Sequence, residues 1–183
     1  RTYGAANPAF SGTVTGFVGG DTQATATTGT LSFGTPATMA TSVGPYAING
    51  TGLTANNGNY SFQQAGANAL ALTINPAVLS YTANTASRTY GDTNPAFLGT
   101  VTGFVNGEAQ ATATTGTLSF TSPATSASNV GSYATNGSGL TANNGNYTFQ
   151  QAVSNATALT VDPATLTYTA DAASRTYGSS NPT

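Results

Sequence analysis

Apolar and small polar residues alternate along most of the chain, with a period of two rather than the 3.6 residues of a helix. The alternation is clearest at residues 100–105 and 116–120, and it continues at 133–135 and 147–150. This pattern predicts half-buried β-strands. No segment keeps a helical period for three turns, and Thr and Gly between the alanines disfavour helix. We therefore expect a mainly β protein.

Asn-Gly pairs mark the predicted turns between strands. They stand at 106–107, 136–137 and 144–145, and such pairs supply the positive φ angles of tight turns. The third pair lies in the middle of residues 140–149. We therefore expect the two halves of this run to pair as a β-hairpin.

The chain contains an internal repeat with a period of 87 residues. The tetrapeptide Arg-Thr-Tyr-Gly begins at Arg1, Arg88 and Arg175, so the period is constant. Residues 1–87 and 88–174 are identical at 63 positions and differ at 24. This regularity is typical of a segment from a longer tandem array of modules.

Proline marks the predicted boundaries between modules. Pro76 and Pro163 each follow a short alternating run, and proline cannot donate to a β-ladder. We place the junctions at Asn75-Pro76 and Asp162-Pro163, which are too short to act as flexible linkers. The predicted parts are a module lacking its first strand (1–76), a complete module (77–163), and the first strand and loop of a third module (164–183).

The apolar content favours small cores. The hydrophobic fraction is 38% and the aromatic fraction 9%, which would make a thin core for one large domain. Several small modules are therefore expected. The predicted core of the complete module consists of Phe97, Val101, Phe104, Leu118, Phe120, Tyr133, Tyr147, Phe149, Leu159 and Val161.

The charge inventory excludes several classes of function. The chain has three Arg, five acids and no Lys, His or Cys, for a net charge of −2. It therefore lacks an imidazole base, a thiol nucleophile, a disulfide and the usual zinc ligands. Three cations cannot neutralise a track of phosphates, so we exclude nucleic acid as a partner. No apolar run approaches the roughly 18 residues of a membrane helix, so we expect no membrane insertion in this segment.

Five ordered motifs occur along the repeat: Tyr90-Gly91, Asn-Pro-Ala-Phe at 94–97, Gly-Phe-Val-Asn-Gly-Glu at 103–108, Val-Gly-Ser-Tyr at 130–133 and Asn-Tyr-Thr-Phe at 146–149. Together they resemble the MBG domain family of the Tyr-Gly-x type, over essentially the whole chain. The resemblance implies tandem, mostly β modules, sandwich-like or β-grasp-like, in large bacterial surface or secreted proteins that include filamentous adhesins. It implies no active site.

The few charges suggest one structural contact in each copy. Arg1 and Arg88 share a phase of the repeat, as do Asp21 and Glu108. We predict salt bridges between Arg88 and Glu108 and between Arg1 and Asp21, because a partly buried guanidinium favours a carboxylate. The alternative is that all four groups are solvated, where a pair contributes about 0–1 kcal/mol.

Acidic residues are too few and too scattered for a metal site or for two-carboxylate catalysis. The complete module offers only Asp92, Glu108 and Asp162, and of these three positions only that of Glu108 is acidic in the first copy, as Asp21. A calcium ion needs about six oxygen ligands with several carboxylates close together. We therefore predict no metal, no cofactor and no enzymatic activity.

Hydroxyl-rich and aromatic positions leave a binding role open. The Thr ladders at 25–30 and 112–117 fit either a water-ordering or glycan-binding array or the solvent face of a strand. The rings of Tyr3, Tyr90 and Tyr177 fit either stacking on sugars or packing on the sheet.

The sequence predicts a structural extracellular repeat protein, located outside the cell or at its surface. Rigid β-modules in series would form the stalk or filament body of a bacterial surface adhesin or fibre. The alternative is a module that binds glycans or a host surface and acts by avidity. Self-assembly is a further alternative, because the strand edges carry almost no charge to prevent pairing between chains. The expected partners are neighbouring modules, with other copies of the chain or glycans as the open alternatives.

Overall fold

The computed structural model describes residues 1–181, and the fold of these residues is mainly β, as the alternation predicted. Two four-residue helices, α1 (Gln23–Ala26) and α2 (Gln110–Ala113), each lead directly into a long strand. The remaining helical segments are single 3-10 turns at Asn56–Gly58, Gly66–Leu70, Asn143–Gly145 and Val153–Thr157. The strands are β1 (Thr27–Gly34), β2 (Gly44–Tyr46), β3 (Asn49–Ala55), β4 (Leu72–Ile74), β5 (Ala77–Ala83), β6 (Ala86–Thr89), β7 (Gly99–Thr102), β8 (Thr114–Thr121), β9 (Gly131–Tyr133), β10 (Asn136–Ala142), β11 (Tyr147–Gln151) and β12 (Leu159–Asp162).

Residues 77–163, here called the central module, contain three small sheets. In the first sheet β5 is the middle strand, parallel to β11 and antiparallel to β7. In the second, β12 is the middle strand, parallel to β6 and antiparallel to β9. The third is the antiparallel pair of β8 and β10. Tyr81 on β5, Phe120 on β8 and Leu140 on β10 are buried in one cluster between the first and third sheets.

Residues 1–76, here called the N-terminal module, repeat only part of this arrangement. The β1–β3 pair corresponds to β8–β10, and the β2–β4 pair corresponds to β9–β12. Residues 12–15 and 60–64 correspond to β7 and β11, yet neither segment is a strand. In the central module both of those strands are held by β5, and no described residue of the N-terminal module takes the place of β5.

The hydrophobic core runs from one module into the other. Ile74 at the end of β4 and Leu79 on β5 belong to the same buried cluster, which includes side chains from both modules. Leu72 and Tyr147 lie in it as well. Of the predicted core residues, Phe120, Tyr147, Leu159 and Val161 are buried, Phe97, Val101, Phe104, Leu118 and Phe149 pack against the clusters half-buried, and Tyr133 is half-buried.

Two local expectations differ from the structure. The hairpin predicted at residues 140–149 is wrong, because β10 pairs with β8 whereas β11 pairs with β5, some 70 residues earlier in the chain. Asn144 and Gly145 do have the positive φ angles of a turn, 54° and 65°, but this turn passes the chain from one sheet to another.

The segment after Pro163 also differs from the expectation. Residues 164–170 form no strand, although they repeat the sequence phase of β5. The strands that hold β5 both follow it in the chain, and no strand follows β12 among the described residues. The predicted third part, 164–183, ends with residues 182–183, which lie outside the described residues.

Candidate functional site: the contact between successive modules

The arginine of the repeat is bound by neutral oxygens of its own module. Arg88 is buried, and its Nε donates a 2.8 Å hydrogen bond to Oδ1 of Asn94. Its two Nη atoms donate to the backbone carbonyls of Thr89 and Thr125. Asn94 is fixed in turn by a 2.6 Å bond from its Nδ2 to the carbonyl of Ala124. The motif Arg-Thr-Tyr-Gly-x-x-Asn thus folds a loop around its own guanidinium.

The first copy of the motif has the same arrangement. Nε of Arg1 donates to Oδ1 of Asn7 at 2.6 Å, and Nη2 donates to the carbonyl of Thr38 at 2.5 Å. Nη1 contacts the carbonyl of Thr2 at 3.3 Å. The guanidinium of Arg1 therefore has three hydrogen-bond acceptors, and none of them is a carboxylate.

The structure brings together neither of the predicted ion pairs. Arg88 and Glu108 form hydrogen bonds with other residues and not with each other, and the same holds for Arg1 and Asp21. The carboxylates accept hydrogen bonds from tyrosines instead: Oδ2 of Asp21 accepts one from the hydroxyl of Tyr60 at 2.7 Å. The physical reason is that backbone carbonyls and an Asn already satisfy each guanidinium.

Glu108 connects the two modules. Its Oε1 accepts a 2.9 Å hydrogen bond from the hydroxyl of Tyr3 in the N-terminal module, and its Oε2 accepts a short hydrogen bond from the hydroxyl of Tyr147 in the central module. The carboxylate is held in place by a tight turn, since the N–H of Glu108 donates to the carbonyl of Val105 at 3.0 Å. Asn106 in this turn has the φ of 55° that an Asn-Gly pair readily adopts.

The two tyrosine rings pack against each other as well. The centroids of Tyr3 and Tyr147 are 5.5 Å apart with an interplanar angle of 84°, an edge-to-face contact. Phe104 makes a second edge contact with Tyr147 at 5.8 Å. Burial, reinforced by the hydrogen bond to Glu108, raises the pKa of Tyr147 to about 12. Burial also raises the pKa of Tyr3, so both hydroxyls stay protonated and can donate to the carboxylate.

The glycine after Tyr3 allows the two modules to approach closely. Gly4 has a φ of 81°, and a Cβ atom at this position would overlap the side chain of Val105. The carbonyl of Met39 accepts hydrogen bonds from the N–H of Gly4 and from Nδ2 of Asn106, both at 3.2 Å. One backbone oxygen is therefore shared by the two sides of the contact.

A second group of contacts lies beside the covalent junction. Oδ1 of Asn146, a buried side chain, accepts a 3.1 Å hydrogen bond from the N–H of Val43. The carbonyl of Asn146 accepts from the N–H of Ala77 at 2.9 Å. Only Asn75 and Pro76 separate β4 of one module from β5 of the next. The junction is therefore fixed both by its length and by the side chains around it.

The repeat itself shows what the contact covers. Tyr3 is 4% exposed, whereas the equivalent Tyr90, at the opposite end of the central module, is 45% exposed. The equivalent of Val43 is Val130, a residue that is more than half exposed. At Gly91, the equivalent of Gly4, an added Cβ atom would have no other atom within 4 Å. The same surface is thus buried where a module follows and open where the described chain has none.

Within the described residues no group of three or more His, Cys, Asp or Glu side chains is placed to hold a metal ion. Across the same part of the chain, no helix is long and apolar enough to cross a membrane.

Comparison with protein families identifies the repeat. The family model described as MBG domain (YGX type) matches residues 1–70 and again residues 79–160, which together make up most of the chain. This chain belongs to the MBG domain family. No curated protein and no solved structure was found to be similar to it.

MBG domains are structural repeat modules, typical of extracellular proteins. In this chain the Tyr-Gly pair that gives the family type its name supplies both the ring and the close approach at the module contact. At this junction the motif therefore has a physical role: Tyr3 of the first MBG repeat packs against Tyr147 of the second, and Gly4 leaves room for the side chain of Val105.

One structural residue of the MBG repeat escaped the sequence analysis. Asn155 is buried, and its Oδ1 accepts a 2.8 Å hydrogen bond from the N–H of Ala83 on β5. Its Nδ2 donates to the carbonyl of Tyr81 and to Oε1 of Gln151, each at 2.9 Å. An Asn in a segment rich in Ala, Ser and Thr belongs to no distinctive pattern. The one available signal was that the same position of the first repeat is also an Asn, Asn68.

Proposed function

We propose that this chain is a spacer: MBG modules in series form the stalk or filament body of a bacterial surface adhesin or fibre. The observation that carries the proposal is the contact built by Tyr3, Glu108 and Tyr147. It joins two modules by hydrogen bonds and aromatic packing in addition to the peptide bond.

The contact favours a fixed angle between modules. Bending at Asn75-Pro76 would separate Ile74 from Leu79, which share one buried cluster. It would also remove the hydroxyl partners of a carboxylate that has no Arg beside it. Burying apolar area contributes about 25 cal/mol per Å², and a hydrogen bond to a charged group about 1.5–3 kcal/mol, so a hinge at this point is disfavoured.

The charge-poor surface suits a role outside the cell. With five acids and three arginines, few groups change protonation near neutral pH, so the stiffness of the array depends little on pH or salt there. The MBG family supports the extracellular location.

The alternative function, weak glycan binding by each repeat, finds less support. Stacking on a sugar needs an open tyrosine face, and the ring of Tyr3 is buried against Tyr147. Of the three tyrosines in the Tyr-Gly motif, Tyr90 and Tyr177 have exposed rings. Tyr90 occupies the position of the repeat that the following module covers at Tyr3.

The proposal is tested by the length of surface threads on the cells that produce the protein. Deleting one 87-residue period from the array is expected to shorten each thread by about 30–40 Å, the span of one compact module. Replacing the same period by a Gly-Ser segment of equal length is the matched control, and it should give threads of irregular length because such a segment is flexible. Threads of unchanged length after the deletion would contradict the spacer function.

A further inference from the structure

The composition limits the ways in which modules can be joined by side-chain bonds. The chain has no cysteine for a disulfide and no lysine for an isopeptide bond. It also has no tryptophan and a single methionine, so its nine tyrosines are the main side chains that a one-electron oxidant attacks. Two oxidised tyrosines in contact couple through their rings. A pair of tyrosines in contact is therefore the main candidate for a covalent bond between modules.

Tyr3 and Tyr147, here called the tyrosine pair, meet this condition at the contact between the modules. Among the ring contacts of the described residues, theirs joins two tyrosines, whereas each of the others includes a phenylalanine. The centroids are 5.5 Å apart at an interplanar angle of 84°, so the edge of one ring touches the other. Both residues are buried, which shields radicals formed on them from solvent and from other chains.

The two hydroxyls of the tyrosine pair share one proton acceptor. Oε1 of Glu108 accepts the hydrogen bond of Tyr3 and Oε2 accepts that of Tyr147, so both phenolic protons point at the same carboxylate. In the described part of the chain the arginine side chains donate to Asn side chains and backbone carbonyls instead. Glu108 is half-buried, so a proton that it takes up can pass on to water.

A base at the hydroxyl matters because of how a phenol is oxidised. Loss of the electron is easier when the proton leaves at the same time, since no charged radical cation then forms. The phenolate is oxidised without a base, but burial raises the pKa of Tyr147 to about 12 and also raises that of Tyr3, so this form is scarce near neutral pH. Oxidation of the tyrosine pair therefore depends on a nearby acceptor, which Glu108 supplies.

Other tyrosines of the fold lack part of this arrangement. The hydroxyls of Tyr46 and Tyr133, at the same phase of the two copies, donate to backbone carbonyls, which do not take up a proton near neutral pH. Tyr60 does bind a carboxylate, that of Asp21, but the ring against it belongs to Phe17, which forms no phenoxyl radical. The shared base and the second phenol occur together at the tyrosine pair.

We propose that Tyr3 and Tyr147 are an oxidative crosslinking site, at which a one-electron oxidant joins the two rings as dityrosine. Two equivalents of the oxidant each take one electron, and each hydroxyl proton passes to Glu108 and then to water. The two phenoxyl radicals couple, forming a bond between a Cε carbon of one ring and a Cε carbon of the other. The hydrogen on each of these carbons moves to the phenoxyl oxygen as a proton, which restores two phenols. The net change is the loss of two electrons and two protons.

The bond locks the junction between the modules. It links the two sides of Asn75-Pro76 through side chains, so the angle between modules no longer depends on noncovalent contacts alone. A crosslink that closes a long loop also restricts the unfolded chain. The crosslinked chain is therefore expected to unfold at a higher urea concentration than the untreated chain. The inference rests on the contact between modules and goes beyond the spacer function.

The positions of the arginines make the crosslink easy to detect. Trypsin cleaves after arginine, so complete digestion of the denatured chain gives two large peptides, 2–88 and 89–175, each with one member of the tyrosine pair. The folded chain is first oxidised at low concentration with light-activated ruthenium tris-bipyridyl and persulfate, a one-electron oxidant. The two peptides should then remain joined, at the sum of their masses less two hydrogen atoms, in a yield that does not change on dilution. Peptides that separate completely after oxidation would overturn the proposal.

Substitution of single hydroxyls locates the bond. Tyr3→Phe keeps the ring but removes the group that is oxidised, and it should abolish the joined product. Tyr90→Phe is the matched control, because it makes the same change in the second copy of the motif, where the residue is 45% exposed. This control should crosslink like the unchanged chain. Equal yields of joined peptides from the two variants would place the bond elsewhere and overturn the proposal.

The shared proton acceptor is tested by Glu108→Gln. The amide keeps an oxygen that accepts a hydrogen bond but takes up no proton near neutral pH, so the crosslinking rate should fall on the order of a hundredfold, as when a positioned base is removed. Asp21→Asn makes the equivalent change in the first copy and should leave the rate unchanged. Circular dichroism verifies that both variants are folded. An unchanged rate in folded Glu108→Gln, or an equal fall in both variants, would contradict the role of Glu108.

Discussion

The hydroxyl of Tyr3 donates a 2.9 Å hydrogen bond to Oε1 of Glu108, a residue 105 positions later in the chain. Oε2 of the same carboxylate binds Tyr147 of the second module. Asp21 stands at the same phase of the first repeat, and among the described residues its carboxylate accepts a side-chain hydrogen bond from Tyr60 alone, the equivalent of Tyr147. The complete three-residue contact therefore occurs where two modules meet.

Removing the ring of Tyr3 should destabilise the chain strongly. Tyr3→Ala deletes a buried aromatic ring and one hydrogen bond to a carboxylate, which together cost about 3–5 kcal/mol in the free energy of unfolding. Tyr90→Ala is the matched control, because it changes the same motif where the ring has no partner module, and it should cost less than about 0.5 kcal/mol. Urea denaturation measures both values. Equal losses for the two variants would mean that the ring does not act through the module contact.

The contact should weaken at alkaline pH. The folded-state pKa of Tyr147, about 12, lies above the ordinary value of 10.0, chiefly because of burial and also because of Glu108. A raised pKa means that its contribution to stability is complete below pH 10 and is lost as pH rises from 10 to 12. The free energy of unfolding should therefore fall over this interval. The Tyr147→Phe variant lacks the titrating hydroxyl, so its free energy of unfolding should fall less over the same pH interval. Parallel pH curves for the two proteins would contradict the role assigned to Tyr147.

The sequence predicted the period, the mainly β fold and the family, because alternation and repetition can be read directly along the chain. It did not predict which strands pair: β11 pairs with β5, far earlier in the chain, and not with β10. It did not predict the partners of the charged groups. Arg88 was expected to bind a carboxylate, but its partners are backbone carbonyls and Asn94, and carbonyls are the same at every position of a sequence. Glu108 binds residues 105 and 39 positions away, one of them in another module, and no local pattern connects them.

A buried hydroxyl in the central module offers a stabilising substitution. Thr135 is fully buried, and its Oγ1 has no hydrogen-bond partner in the structure. The equivalent residue of the N-terminal module is Ile48, and the N–H groups of both donate at 2.9 Å to the equivalent carbonyls of Asn155 and Asn68. Thr135→Val removes the unpaired hydroxyl at nearly constant volume and should stabilise the chain by about 1 kcal/mol. Denaturation that shows a loss of stability instead would indicate that the hydroxyl is satisfied.

The two equivalent asparagines should respond differently to truncation. Asn155→Ala leaves the buried N–H of Ala83 without a side-chain acceptor and removes one of the two hydrogen bonds to the carbonyl of Tyr81, at an expected cost of about 2–4 kcal/mol. Asn68→Ala removes the same side chain where no strand is bound and should cost less than about 1 kcal/mol. The measurement is urea denaturation of the two variants beside the unchanged chain. A larger loss for Asn68→Ala would contradict the role assigned to Asn155.

The fixed angle between modules is tested most directly by the distance distribution between two spin labels, one in each module. Thr28→Cys and Thr115→Cys place labels at equivalent exposed strand positions of a chain that has no other cysteine, and dilution with unlabelled protein isolates distances within one chain. Double electron–electron resonance on this protein should give one narrow peak, and the same pair of labels in Tyr3→Ala should give a broader one. A broad distribution already present in the otherwise unchanged chain would show that the modules are joined by a hinge and would contradict the rigid spacer.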